Sequence, residues 1–159
     1  MTDKWTDDDF DSLGWHDCHF HGFQIVQGEC GAASLWFDLD YIIDWLCPTN
    51  ETGPVEFRIA PALLKFRDVS DLRIKLDYRK SGAAVMPFSI AGIERELLPS
   101  PQNSHSYRWA IEVNWPTGSI SFDSPGFAMN LTGPVTETDQ QCLSPSERNQ
   151  KPDKHINTD

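Results

Sequence analysis

Residues 35–46 constrain the fold of this chain more than any other stretch. Its odd positions are all apolar or aromatic, namely Leu35, Phe37, Leu39, Tyr41, Ile43 and Trp45, whereas its even positions alternate less cleanly but carry Asp38, Asp40 and Asp44. Successive side chains of a strand point to opposite faces, so this pattern predicts a long strand with one apolar and one acidic face. A helix would spread the aspartates around its circumference and leave no continuous apolar stripe.

The same alternation recurs in shorter segments, most clearly in residues 15–27, 72–79 and 107–115. Gly22 predicts a bulge within the first of these. Residues 116–118, Pro-Thr-Gly, predict a tight hairpin turn after the last. Eight or nine short strands separated by turn signals predict an all-β, mainly antiparallel fold. Covering the apolar faces requires a sandwich or a strongly curled sheet.

The composition of the two ends suggests three regions in the 159-residue chain. Residues 1–12 are acidic and predicted to be disordered, residues 13–132 form a single antiparallel β domain, and residues 133–159 form a polar, largely disordered tail. Within that tail, Ser144 and Glu147 match a capping box with Pro145 at the first helical position. This match predicts a short C-terminal helical turn.

The charge of the chain bears on its partners. Thirteen basic residues face 24 acidic ones, for a formal net charge of −11. Such a surface repels nucleic acid and anionic lipid and attracts a basic protein partner by long-range steering. The alternative is that the acidity serves solubility alone. The sequence does not determine the oligomeric state.

The chain also carries signals about its compartment. No segment resembles a secretory signal or a membrane span, so no membrane association is expected. The four cysteines, Cys18, Cys30, Cys47 and Cys142, form no C-x-x-C pair. They are interpreted as reduced thiols, which predicts a cytoplasmic protein.

Several motifs together resemble an uncharacterised family of small bacterial β-rich proteins. They are Trp15, His16 and Asp17 followed by His19, His21 and Gly22; residues 38–45; residues 59–62; Phe66 with residues 68–72; residues 111–115; Gly126 and Phe127; and residues 141–144. The resemblance covers nearly the whole predicted domain. The chain is similar, more distantly, to the β-rich immunity-type proteins that neutralise bacterial toxins. Neither resemblance implies a catalytic residue.

The acidic face of residues 35–46 is the main candidate binding surface, with Trp36, Asp38, Asp40 and Asp44 as its residues. Trp36 is a candidate anchor for a partner or a sugar. The plainest expectation pairs Asp38 and Asp40 with Arg73 and Lys75 of a neighbouring strand, across an exposed face. The alternatives are a bound cation and a docking face for a basic partner.

A second candidate site is the histidine cluster at residues 16–21. Asp17, His19 and His21 would share one face of a strand, as metal-binding His-x-His pairs do, and are candidate metal ligands. The alternative is that these side chains form ordinary hydrogen bonds at a strand end. Cys18 lies close to two histidines but lacks a third orienting group, which favours a structural role.

Known catalytic and cofactor motifs are missing. The sequence contains no G-x-S-x-G, no G-x-x-x-x-G-K-[ST] and no G-x-G-x-x-G pattern, so we predict no catalytic residue and no cofactor. A protein-binding module is therefore favoured over an enzyme, in the form of an immunity-type inhibitor of a basic partner. The alternative is a metal-dependent enzyme or ligand-binding β-sandwich that uses residues 16–21.

Overall fold

A computed structural model describes residues 2–48, 50, 52–99 and 105–149. It confirms the all-β prediction, with ten strands where eight or nine were expected. They are β1 (Lys4–Thr6), β2 (His19–Gln27), β3 (Ala33–Leu46), β4 (Glu56–Phe66), β5 (Ser70–Leu76), β6 (Phe88–Leu97), β7 (Tyr107–Trp115), β8 (Gly118–Ser124), β9 (Phe127–Leu131) and β10 (Thr136–Thr138). Two 3-10 helices, Asp7–Ser12 and Arg79–Ser81, and one α-helix, α1 (Pro145–Arg148), complete the described part.

All ten strands belong to one antiparallel sheet. Their order is β1-β9-β4-β3-β2-β6-β7-β8-β5, and β10 pairs with β4 beside β9. The sheet curls until its two halves meet: the ring of Phe66 on β4 lies 4.7 Å from Phe122 on β8 and 5.0 Å from Trp109 on β7. These distances suit tilted and edge-to-face aromatic packing. The curled sheet predicted from the sequence is confirmed.

The predicted neighbours of the long strand are wrong. β3, the strand of residues 35–46, pairs with β2 and β4, whereas β5, which carries Arg73 and Lys75, pairs with β8. The alternation within each strand marks which side chains face inward, but it contains no signal for which strands lie side by side.

A bulge in β2 changes which of its residues face the core. The predicted bulge at Gly22 is confirmed, because the β2–β3 register shifts between Phe20 and Gly22. As a result Phe20 and Phe23 both lie on the inner face, opposite Leu39 and Phe37, and His21 occupies the bulge. The histidines of β2 therefore share the outer face of the sheet with the aspartates of β3.

Three tryptophans were candidates for the core. Trp109 is fully buried and its indole N–H donates to the carbonyl of Ser124 at 3.0 Å, as predicted. Trp115, at the end of β7, is only half-buried, so its predicted deep burial is wrong. Trp45 is 48% exposed. A register shift in β3 between Ile42 and Asp44 ends the earlier alternation before it reaches Trp45.

Both ends of the chain form more structure than the sequence predicts. Residues 2–12 contribute β1 and a 3-10 helix, and the ring of Phe10 lies 5.3 Å from that of Trp109. Residues 133–149 contribute β10 and α1, and Leu143, in the stretch that joins them, is buried. The predicted helical turn is confirmed: Ser144 and Glu147 form the capping box of α1. Residues 150–159 of the predicted tail lie outside the described residues.

Candidate functional site

Asp40 is the centre of the acidic face of β3, and it is buried rather than exposed. One carboxylate oxygen, Oδ2, lies 2.8 Å from Nε2 of His21 and accepts the backbone N–H of Leu143 at 2.8 Å. The other oxygen accepts from the guanidinium of Arg148. Burial of a carboxylate is costly unless it is paired and hydrogen-bonded, and these three donors satisfy it.

The guanidinium of Arg148 bridges Asp40 to the half-exposed Asp38. Arg148 is itself largely buried. The partners of the two aspartates are therefore on β2 and on the C-terminal segment, which we define as residues 139–148, and not on β5. The pairing with Arg73 and Lys75 expected from the sequence is wrong, because β5 lies at the far edge of the sheet.

The other two candidate binding residues lie in separate environments. Asp44 follows the irregularity in β3 and accepts from Arg58 on β4 at 2.8 Å. Trp36 is half-buried, and Nζ of Lys65 lies 4.2 Å from the centre of its ring. Such cation–π contacts at partly exposed sites contribute modestly. The structure thus divides the predicted acidic surface into one buried cluster and two local surface pairs.

Two of the three candidate metal ligands serve the local structure. Asp17 has a positive φ of 63°, and its carboxylate oxygens accept from the side-chain amides of Asn114 and Gln141, each at 3.0 Å. These bonds tie the loop before β2 to β7 and to the C-terminal segment. Nδ1 of His19 lies 3.0 Å from the backbone oxygen of Asp17, and burial lowers the pKa of His19.

The third candidate, His21, belongs to a cluster that sequence analysis missed. Nε2 of His21, a carboxylate oxygen of Asp40 and Sγ of Cys142 all lie within 4.8 Å of one another. Cys142 follows His21 by 121 residues, so no local spacing relates them. The only signal in the sequence was that both fall in motifs of the family resemblance.

The cluster lacks the arrangement of a nucleophilic cysteine. Sγ of Cys142, at 3.9 Å, and the carboxylate of Asp40 approach the same imidazole atom, Nε2 of His21. In a Cys-His-Asp triad the acid orients one ring nitrogen while the other takes the thiol proton. Burial, followed by the nearby Asp40 charge, also raises the pKa of Cys142 to about 11, which keeps the thiol protonated.

A groove of about 740 Å³ opens beside this cluster. Its lining includes Phe20 and Phe23 of β2, and Tyr78 and Met86 from the connection between β5 and β6. The hydroxyl of Tyr78 donates to the backbone oxygen of Met86, which ties these two lining residues together. His21 and Cys142 also line the groove. Its lining is mainly apolar, as is typical of binding clefts.

One edge of β2 is free along this groove. β2 pairs with β6 only through His19 and Phe20, and within the described residues no strand pairs with residues 21–27 on that side. Free edges are ordinarily protected by charged residues or proline. β2 contains no Asp, Glu, Lys, Arg or Pro, and its Ile25 is 62% exposed.

The chain matches no protein-family model, no curated protein and no solved structure. The family resemblance noted from the motifs therefore stays a prediction. Among the described residues, no helix combines the length and apolar character that crossing a membrane requires.

Proposed function

We propose that this protein is a protein-binding module that takes an extended segment of a basic partner against the free edge of β2. The observation that carries the proposal is an unprotected strand edge directly beside an apolar groove. Its rim exposes Phe23 (44%), Val85 (82%) and Met86 (52%). Contiguous exposed apolar residues at a surface cleft are typical of interaction sites.

The backbone of β2 supplies the first part of the recognition. In an antiparallel ladder, residues with N–H and C=O groups turned toward one neighbour alternate with residues whose groups point the other way. The N–H and C=O groups on one side of β2 bond to β3. Residues 21–27 therefore present the N–H and C=O groups of the other side to an added strand. Seven residues at about 3.3 Å each give an edge of roughly 23 Å, enough for a short extended segment.

The groove supplies the second part. Every second side chain of an added strand would point toward the curled interior, where the side chains of Phe20, Phe23 and Tyr78 line the groove. The partner segment should therefore alternate apolar residues with polar or basic ones. Main-chain hydrogen bonds would give affinity, and the apolar contacts would give specificity.

The charge of the chain selects the kind of partner. A net charge of −11 attracts a basic protein and opposes association with a second copy of this acidic chain. An inhibitor of a basic enzyme, like the immunity-type proteins that the sequence distantly resembles, is one form of such a module. All four cysteines are free, which supports a place for the module in the reducing cytoplasm.

The direct test is a set of short synthetic peptides that alternate valine with lysine, titrated into isotope-labelled protein and followed by NMR. Binding should shift the amides of residues 21–27 and of Val85 and Met86. Methylating alternate peptide nitrogens on the side facing β2 should abolish binding, because it removes the added strand's donors. A scrambled peptide of the same composition controls for charge alone.

Variants sharpen this test. Ile25→Lys and Val85→Asp should weaken peptide binding at least about tenfold, or 1.4 kcal/mol. Val55→Asp is the matched control, since Val55 is an exposed valine outside the groove lining. Failure of all the peptides to bind, or equal loss in the control, would overturn the proposal. Binding of a fatty acid in place of peptide, or dimerisation of the chain through β2 at neutral pH, would also contradict it.

A further inference from the structure

The cluster of His21, Asp40 and Cys142 brings three different kinds of metal-binding atom together beside the groove. We propose that it is a zinc site with three protein ligands: Nε2 of His21, Oδ2 of Asp40 and Sγ of Cys142. Imidazole, carboxylate and thiolate are the ligand types that zinc takes in proteins. The assignment does not depend on the protein-binding role proposed above.

The two distances from Nε2 of His21 fit a tetrahedral ion after small movements, and the third pair, a carboxylate oxygen of Asp40 and Sγ of Cys142, lies within 4.8 Å. Zinc bonds of 2.0–2.3 Å place neighbouring ligand atoms about 3.3–3.6 Å apart in a tetrahedron. Nε2 of His21 now lies 2.8 Å from Oδ2 of Asp40 and 3.9 Å from Sγ of Cys142. The first distance must open and the second close by about half an ångström or less, which side-chain rotations can supply.

The surrounding charges also favour a cation. Two carboxylates, Asp38 and Asp40, face a single guanidinium, that of Arg148, so carboxylates outnumber guanidinium groups at the cluster. Entry of Zn²⁺ displaces the proton of the Cys142 thiol, so the net gain is one positive charge. The proton leaves to solvent through the groove, and zinc affinity should therefore rise with pH.

Contacts around the cluster hold the carboxylate for this role. Arg148 binds one oxygen of Asp40, and the backbone N–H of Leu143 donates to the other. When Nε2 of His21 binds the metal, its contact with Oδ2 of Asp40 is replaced by a bond between Oδ2 and the ion. Outer hydrogen bonds of this kind orient metal ligands and tune their affinity.

The fourth coordination position would point toward the groove. His21 and Cys142 both line the groove, whereas Asp40 is fully buried beneath them. A zinc site with three protein ligands leaves one position for water or for another ligand. The ion would also join β2 and β3 to the C-terminal segment, so that metal binding stabilises the folded chain.

The test uses the full chain, freed of metal with a chelator and titrated with Co²⁺, whose spectrum reports a thiolate ligand. We expect one equivalent of Co²⁺ to produce a thiolate-to-cobalt charge-transfer band, which Zn²⁺ then displaces. Cys142→Ser should abolish the band, and His21→Gln should weaken binding at least about tenfold. Cys30→Ser and Cys47→Ser, at exposed cysteines, should leave it unchanged.

A thermal measurement separates loss of the site from loss of the fold. Zn²⁺ should raise the melting temperature of the wild type and of Cys30→Ser, but not that of a folded Cys142→Ser or His21→Gln variant. A band that persists in Cys142→Ser, or no Co²⁺ binding at concentrations of about 100 μM, would overturn the zinc site. Peptide binding measured in chelator tests the proposed function independently.

Discussion

At the scale of single residues, the two aspartates Asp40 and Asp44 have opposite environments on the same strand. Asp40 is completely buried, and its carboxylate forms hydrogen bonds with His21, Leu143 and Arg148. The side chain of Asp44 is 50% exposed. An exposed ion pair contributes little because water and salt screen it, whereas a buried carboxylate that loses its charge also disrupts the groups around it.

The two positions should therefore respond differently to the same change. Asp40→Asn should lower the free energy of unfolding by on the order of 3 kcal/mol, since it leaves a buried ionic network incomplete. Asp44→Asn should cost less than about 1 kcal/mol, and less still in high salt. Urea denaturation of both variants checks this difference. Equal small losses would show that Asp40 is solvated.

At the scale of elements, the C-terminal segment acts as part of the core rather than as a tail. Its Leu143 is 3% exposed, its Gln141 binds Asp17, and its Arg148 binds Asp38 and Asp40 of β3. A short helix such as α1 is not stable by itself. These contacts, rather than helix propensity, therefore hold the segment against the outer face of the sheet.

Leu143→Ala should consequently destabilise the whole domain. Truncating a buried leucine costs about 2–5 kcal/mol, and we expect the lower part of that range because the segment can shift to fill space. Leu97→Ala is the matched control, since Leu97 is 55% exposed at the end of β6. It should change stability by less than about 0.5 kcal/mol. If chemical denaturation shows no difference between the two, the segment is not part of the cooperative fold.

At the scale of the whole molecule, the net charge opposes association between copies of the chain, whereas the free β2 edge favours it. The net charge of −11 keeps copies of the chain apart at neutral pH, while residues 21–27 offer an unprotected apolar edge. Protonation of carboxylates removes the repulsion as the pH approaches the sequence pI of about 4.7. The edge then has nothing to oppose its pairing with other copies.

Light scattering should therefore show association as the pH is lowered toward 4.7. Ile25→Lys should suppress this association, because a charge on a free edge discourages pairing between sheets. Val55→Lys makes the same change in net charge at an exposed valine outside the groove. It should suppress the association less than Ile25→Lys does. Equal protection by both variants would assign the effect to net charge alone.

Much of the fold was predictable because its signals are local. The alternation of β3, the bulge at Gly22 and the capping box at Ser144 are each encoded within a few neighbouring residues. Local geometry determines such features, since the side-chain direction of a strand and the cap of a helix depend on adjacent backbone. The sequence alone thus determined the all-β class, most of the strands and the helical turn.

Only the tertiary structure decided where the functional groups lie. β3 pairs with β2 and β4 and not with β5, which turns the expected exposed acidic face into a buried cluster. Cys142 joins His21 across 121 residues, and the free edge of β2 exists because β6 pairs with only two of its residues. Strand order and contacts between distant segments arise from packing of the whole chain, and no short-range pattern in the sequence encodes them.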